Sequence, residues 1–156
     1  MAQVRPLTLA RLVASGFGSG FVRVAPGTMG SFVALLLGAA MLTWAPPLLP
    51  VAAAAAYLAG LWAVKAERAE HDPGWVVIDE FCGQWIAMLV LPAASPAGLA
   101  AAFVLFRVLD IVKPGPIRTA ERLGGAQGVM ADDVVAGAIA ALLLWMARTG
   151  WPGVLD

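Results

Sequence analysis

The stretch "GVMADDVVAGAIAALLLW", residues 128–145, sets two adjacent carboxylates, Asp132 and Asp133, at the head of an apolar run. A charged side chain at the centre of a bilayer costs roughly 2.5–3.5 kcal/mol on insertion scales. A plain anchor has no use for two of them, so the run reads as a membrane helix and the pair as functional. Composition agrees: 61% of the 156 residues are hydrophobic and 13% are charged. The mean hydropathy is +0.84. Soluble domains carry about a quarter charged residues, so the chain reads as an integral membrane protein, one domain over residues 1–156. Its net charge is zero, which offers no field for nucleic acid. The single Cys82 excludes an internal disulfide and a cysteine-cluster metal site. The opening "MAQVRPLTLARLVASGFGSG" has no clean apolar core followed by a small-residue cleavage site, and is not read as a signal peptide.

Charges are absent from residues 24–64, 81–106 and 134–147. "APPLLP" (45–50) breaks the first of these stretches and "LPAASPAG" (91–98) the second, as turns between helices do. Five hydrophobic helices are expected, over 29–44, 51–66, 75–91, 97–112 and 132–148. Polar alternation of the kind a β-barrel needs is missing, so the fold class is all-α, a polytopic bundle. Basic residues fall before the first run (Arg5, Arg11, Arg23), after the second (Lys65, Arg68) and after the fourth (Lys113, Arg118, Arg122). The other two turns are uncharged. The positive-inside rule makes the basic side cytoplasmic. Asp72, Asp79 and Glu80 enter the third run from that side, Asp110 leaves the fourth into it, and Asp132 and Asp133 enter the fifth from it. Carboxylates therefore converge at one membrane face.

Such a cluster repels itself unless something positive sits within it. One solution is ion pairing: Arg107 and Lys113 lie three residues either side of Asp110 on one helical face. The other is a divalent cation. Oxygen ligands without Cys or His select Mg²⁺ or Mn²⁺ over zinc. The adjacent pairs Asp79–Glu80 and Asp132–Asp133 diverge by about 100° on a helix, so one member of each could hold metal while the other faces a neighbour. Plain N-capping at the helix dipole is the competing explanation for each pair.

"VAPGTMGSF" (24–32) is a second constellation. Pro26–Gly27 makes a turn, and Thr28 or Ser31 can cap the first helix. Hydroxyls and glycine-freed N–H groups there also suit an anion. "GFGSG" (16–20) fits neither the Walker loop nor the dinucleotide-binding spacing and reads as a flexible re-entry segment. In "FRVLDIVKPGPI" (106–117), Pro114 and Pro116 end the fourth helix. Arg107, Lys113 and Arg118 can take a phosphate, or serve only as positive-inside anchors. His71 reads as a solvated loop residue. Cys82 lacks the arginine of a Cys-x5-Arg phosphatase loop and reads as core. The six tryptophans read as core and interface belt.

"GTMGS" (27–31), "DPGWVVIDEFCG" (72–83), "FRVLDIVKPGPI" (106–117) and "GVMADDVVAG" (128–137) resemble, in order and spacing, the signature segments of the phosphatidylglycerophosphatase A family. The likeness runs from about Gly16 to Leu143. It implies an all-helical, Mg²⁺-dependent enzyme of the bacterial cytoplasmic membrane, acting in phospholipid biosynthesis. The implied reaction removes the terminal phosphate of phosphatidylglycerophosphate to give phosphatidylglycerol. By position, the resemblance implies metal and catalytic roles for Asp79, Glu80, Asp132 and Asp133, with Asp110 close by. It implies phosphate and headgroup contacts from Thr28, Ser31, Arg107 and Lys113. Leu109, where the family often has an aromatic, and Gly115, where it often has a bulky residue, imply altered packing near the site.

Charge placement and resemblance agree on the class of chemistry. A lipid phosphomonoester places its site at a membrane face and calls for cations around nearly two negative charges. Two alternatives stay open, the second in another class of function. One is a phosphatase of another lipid or polyprenyl phosphate, since a helix bundle says little about headgroup. The other is a small ion-coupled transporter, which would carry carboxylates nearer the midplane and an inverted repeat. The sequence assigns no oligomeric state.

Overall fold

A computed structural model describes residues 6–155. Arg5 and the first residues of the opening stretch lie outside the described residues. Seven α-helices follow one another: α1 (Leu9–Ala14), α2 (Pro26–Trp44), α3 (Leu48–Ala66), α4 (Ile78–Met88), α5 (Pro96–Val112), α6 (Gly115–Glu121) and α7 (Gly125–Gly150). No strand occurs among the described residues, and the fold is all-α as expected. The five apolar runs correspond to α2, α3, α4, α5 and α7, with shifted ends. Three of them, α2, α3 and α7, are long and apolar enough to cross a membrane. At 1.5 Å per residue the eleven residues of α4 reach about 17 Å, well short of a bilayer core of about 30 Å. The third run is short because its first residues do something else. The Val77 N–H donates to the carbonyl of Ala14 at 2.9 Å, tying this segment to the end of α1, and the helix starts only at Ile78.

Two boundaries change the reading of the site. Helix α7 begins at Gly125, seven residues before the expected start. Gly124 and Gly125 turn the chain at φ 71° and 58°, and Gly128 lies against α6, where a Cβ would sit 2.7 Å from the Glu121 carbonyl. Asp132 and Asp133 therefore lie about two turns inside α7, where no free N–H groups remain, and N-capping does not account for them. Helix α2 begins at Pro26 behind Ala25, with no side-chain cap. Thr28 and Ser31 are thus inside the helix, and the expected capping by either is overturned. The Ser31 hydroxyl instead donates to the Gly27 carbonyl at 2.9 Å. At the end of α5, Lys113 takes a left-handed conformation (φ 47°) and Pro114 follows, ending the helix as the prolines predict. The chain then re-enters helix at once as α6. "GFGSG" forms a hydrogen-bonded turn leading into a 3-10 turn at Ser19–Phe21.

Helix α4 is the hub, touching α2, α3, α5 and α7. Its buried Phe81, Trp85 and Met88 pack inward, and Trp85 Nε1 donates to the Ala34 carbonyl of α2 at 2.8 Å. The contact with α7 is made backbone to backbone. A Cβ on Gly137 would lie 2.3 Å from the Gly83 carbonyl oxygen, and one on Gly83 would lie 2.6 Å from the Asp133 carbonyl oxygen. Small residues permit this approach, as they do where membrane helices associate by packing. The bundle's outside is apolar: Leu58, Val104, Ile111 and Leu142 are exposed. At one end Ser95 caps α5 through the Gly98 N–H and donates to the Leu155 carbonyl at 2.5 Å. The polar residues gather at the other end.

Candidate active site

Helices α4, α5 and α7 supply the expected carboxylates there, and α6 adds Glu121. Asp79 and Glu80 stand in the first turn of α4, where the helix dipole favours negative charge. The Gly83–Gly137 contact, one turn further in, brings α7 close enough for Asp133 to meet them. Single carboxylate oxygens of Asp79, Glu80 and Asp133 all lie within 4.8 Å of one another. Asp79 is 6% exposed and Asp133 2%. Asp79 Oδ1, Glu80 Oε2 and Asp133 Oδ2 are buried with no hydrogen-bond partner among the described residues. Buried polar groups are ordinarily paired, and buried charges almost always are. Three converging carboxylates, each with an oxygen left unpaired, form a donor set of hard oxygens that suits Mg²⁺ or a similar cation.

The other two acidic positions expected at the metal each have a cationic partner, and Asp110 also lies against Asp133. Asp110 on α5 pairs with Arg107 on the same helix. Asp132 Oδ2 accepts from Lys113 Nζ at 2.6 Å. Lys113 therefore does not pair with Asp110 as the spacing suggested, because its left-handed backbone turns it to α7 and α6, where it also reaches Glu121 at 2.8 Å. Burial works against the Lys113 ammonium, but its hydrogen bonds to Asp132 and Glu121 outweigh that and hold it above its usual range. It stays charged.

Arg107 links the trio to α2. Its Nη1 lies 3.9 Å from Glu80 Oε1 and 3.4 Å from the Ser31 hydroxyl, and its Nη2 lies 3.4 Å from the Thr28 hydroxyl. Gly27 makes room for this: a Cβ there would sit 2.2 Å from Glu80 Oε1. Thr28, Ser31 and Arg107 thus form one side of the carboxylate trio, while Lys113 stands with Asp132. All nine residues singled out in the sequence lie at the same end of the bundle, in three groups. Arg118 is exposed on α6 with no partner among the described residues, His71 is exposed, and Cys82 is buried core.

Residues 12–148 match the family described as Phosphatidylglycerophosphatase A. The chain belongs to this family. It is 39% identical over 150 residues to phosphatidylglycerophosphatase A of Escherichia coli, covering 93% of this chain and 87% of that protein. To the Haemophilus influenzae protein of the same name it is 37% identical over 156 residues, covering 97% and 95%. A Bacteroides thetaiotaomicron protein, whose name proposes it as a phosphatidylinositol-3-phosphatase, is 42% identical over 153 residues, covering 92% and 96%. No solved structure matches the chain. Membership in the phosphatidylglycerophosphatase A family makes this a phosphoric monoester hydrolase, so the groups just described are read as those of a phosphatase.

Several residues that build this candidate site give only a faint signal in the sequence. Gly27, Gly83 and Gly137 set its distances, and "FCG" and "VAG" beside the acidic pairs are the available signal. Glu121 shares Lys113 with Asp132. Gln84, fully buried, has neither amide atom paired among the described residues. Its signal is a lone amide in an uncharged run, four residues after Glu80.

Proposed function

We propose that the chain hydrolyses the terminal phosphomonoester of phosphatidylglycerophosphate, releasing phosphate and phosphatidylglycerol for phospholipid biosynthesis. The observation that carries the reading is the trio Asp79, Glu80 and Asp133: convergent, with Asp79 and Asp133 buried and Glu80 half-buried, and each with an unpaired oxygen. The names of the Escherichia coli and Haemophilus influenzae relatives support the substrate. The trio would hold Mg²⁺, with Asp110 and Asp132 as the adjoining acidic groups that fix Arg107 and Lys113. Mg²⁺ held by these carboxylates would supply positive charge to offset the negative charge of the phosphoryl oxygens.

The chain's own groups do the rest. Arg107 can present two parallel N–H donors to a phosphate, exchanging its contacts with Asp110 and Glu80 for phosphoryl oxygens. Thr28 and Ser31 offer hydroxyls on the same side. Lys113, kept charged, attracts the dianionic headgroup. A water in line with the leaving oxygen would attack phosphorus as the P–O bond to the glycerol oxygen breaks. It gives a proton to an oxygen of Asp133 or Glu80 not taken up by the cation, and the departing glycerol oxygen takes a proton back as phosphatidylglycerol is released. Burial excludes bulk water and strengthens each of these interactions. The protein would sit in the bacterial cytoplasmic membrane with this end in the cytoplasm, as the positive-inside rule reads the basic loops.

A second reading has its own support. The Bacteroides thetaiotaomicron relative is 42% identical, and its name points to a phosphoinositide. The same groups would serve any lipid phosphomonoester. Purified protein in detergent, given phosphatidylglycerophosphate or phosphatidylinositol 3-phosphate with Mg²⁺ and then with EDTA, separates the readings. Phosphate release from the first lipid, stopped by EDTA and restored by Mg²⁺, is the expected result. Release from the phosphoinositide alone would move the substrate, and release insensitive to EDTA would remove the cation.

A further inference from the structure

We propose that Gln84 is a positioning residue of the site, whose side-chain amide holds the Glu80 carboxylate toward Asp79 and Asp133. It rests on the cation reading above and adds a residue to it.

Gln84 is 0% exposed, and both Nε2 and Oε1 lack partners among the described residues. An amide buried without hydrogen bonds costs roughly 1–3 kcal/mol in proteins. A methionine of nearly the same shape would avoid that cost, so packing does not explain a glutamine there. Its place on α4 does. Residues four apart share a helix face, with Cβ atoms about 5–6 Å apart, and four residues before Gln84 stands Glu80. The two oxygens of Glu80 differ. Oε1 faces Gly27 and Arg107, and Oε2 is buried and unpaired.

The neighbouring helix fixes the depth. Helices α2 and α4 run side by side in the same direction, with Gly27 against Glu80, Ala34 bonded to Trp85, and Gly38 against Met88. One turn inward from Gly27 and Glu80 come Ser31 and Gln84, both fully buried. Gln84 therefore belongs to a polar layer beneath the carboxylates, with Ser31 and the Arg107 side chain that reaches it. Within that layer its amide makes no hydrogen bond in this structure, and from one helical turn away a rotation of the side chain would let Nε2 donate to the unpaired Glu80 oxygen. Such a donor would oppose the pull of the Arg107 guanidinium on the Glu80 carboxylate, which carries an unpaired oxygen here. Partners that orient a ligating carboxylate in this way typically contribute 10–100-fold in metal affinity.

The test is thermal unfolding of the purified protein in detergent, titrated with Mg²⁺, for the wild type, Gln84→Met, Glu80→Gln and the double variant. Gln84→Met is expected to melt no lower than wild type in EDTA. Its half-saturating Mg²⁺ should rise roughly 10–100-fold, and the same shift should appear in the Mg²⁺ dependence of turnover. Because Gln84 acts through Glu80, the double variant should match Glu80→Gln in its response to Mg²⁺. A Gln84→Met protein that binds Mg²⁺ like wild type overturns the proposal. So does one that unfolds or melts lower in EDTA, since the amide would then be a structural partner. Additive effects in the double variant would break the link to Glu80. A wild type that Mg²⁺ does not stabilise defeats the cation reading itself, whatever Gln84 does.

Discussion

Asp132 and Asp133 are neighbours in sequence with different partners in the structure. Asp133 turns an unpaired oxygen into the trio, while Asp132 turns one to Lys113. Their variants should therefore fail differently. Asp133→Asn replaces a carboxylate by an amide that holds Mg²⁺ poorly. It should lower turnover at least as much as the roughly 10–100-fold cost of losing an outer partner. Its melting temperature in EDTA should rise, because three crowded carboxylates become two. Asp132→Asn should keep the Mg²⁺ response and raise KM several-fold, because Lys113 is left to Glu121 alone. Steady-state kinetics at saturating Mg²⁺ decide it: an equal collapse of kcat in both variants would put Asp132 with the trio. Residues of this kind are legible in the sequence because charge in an apolar run is conspicuous. Which carboxylate meets which partner is not, since that depends on a left-handed Lys113 and a helix that starts seven residues early. Gln84 escapes notice for a related reason, a neutral amide among apolar residues being hard to tell from core.

At the scale of elements, the site's dimensions are set where α4 and α7 touch. Gly137→Ala would place a methyl 2.3 Å from the Gly83 carbonyl oxygen, and backbone cannot move aside as a side chain can. Overpacking of this sort costs roughly 1–3 kcal/mol. The variant should melt lower, and its Mg²⁺ affinity should fall, because the spread helices carry Asp133 away from Asp79 and Glu80. Gly115→Ala is the control. A Cβ at Gly115 meets nothing within 4 Å, so neither melting nor Mg²⁺ response should fall. If Gly137→Ala melts like Gly115→Ala with an unaltered Mg²⁺ response, the glycine contact does not set the site. The apolar runs announce α2, α3, α4, α5 and α7 through length and Pro-rich breaks. The short α1 and α6 give no such signal, having too few turns to show a period. The true start of α7 is hidden by glycines at 125 and 128, which read as loop until α6 is seen packed on Gly128.

The whole molecule has one polar end and one sparsely charged end, and the alternation of basic and uncharged turns makes that legible from the sequence. The bundle adds that carboxylates from α4, α5 and α7 share this end with the hydroxyls of α2. A site at one end gives a hydrolase one side of the membrane from which it meets its substrate phosphate. A transporter would need its carboxylates open to each side in turn. Cysteines placed at exposed Arg122 and at exposed Ala93 test both points, because the native Cys82 is 1% exposed and should stay silent to a membrane-impermeant maleimide. In intact cells Ala93→Cys should label and Arg122→Cys should not, until the membrane is permeabilised. The reverse pattern would invert the positive-inside reading and move the site to the outer face. Asp79→Cys adds the last distinction. Labelling of that buried position from outside in intact cells, through an assembled bundle, would require a path across the whole membrane thickness. That path is what an ion-coupled transporter must have, and what a hydrolase with its carboxylates at one end of the bundle does not need.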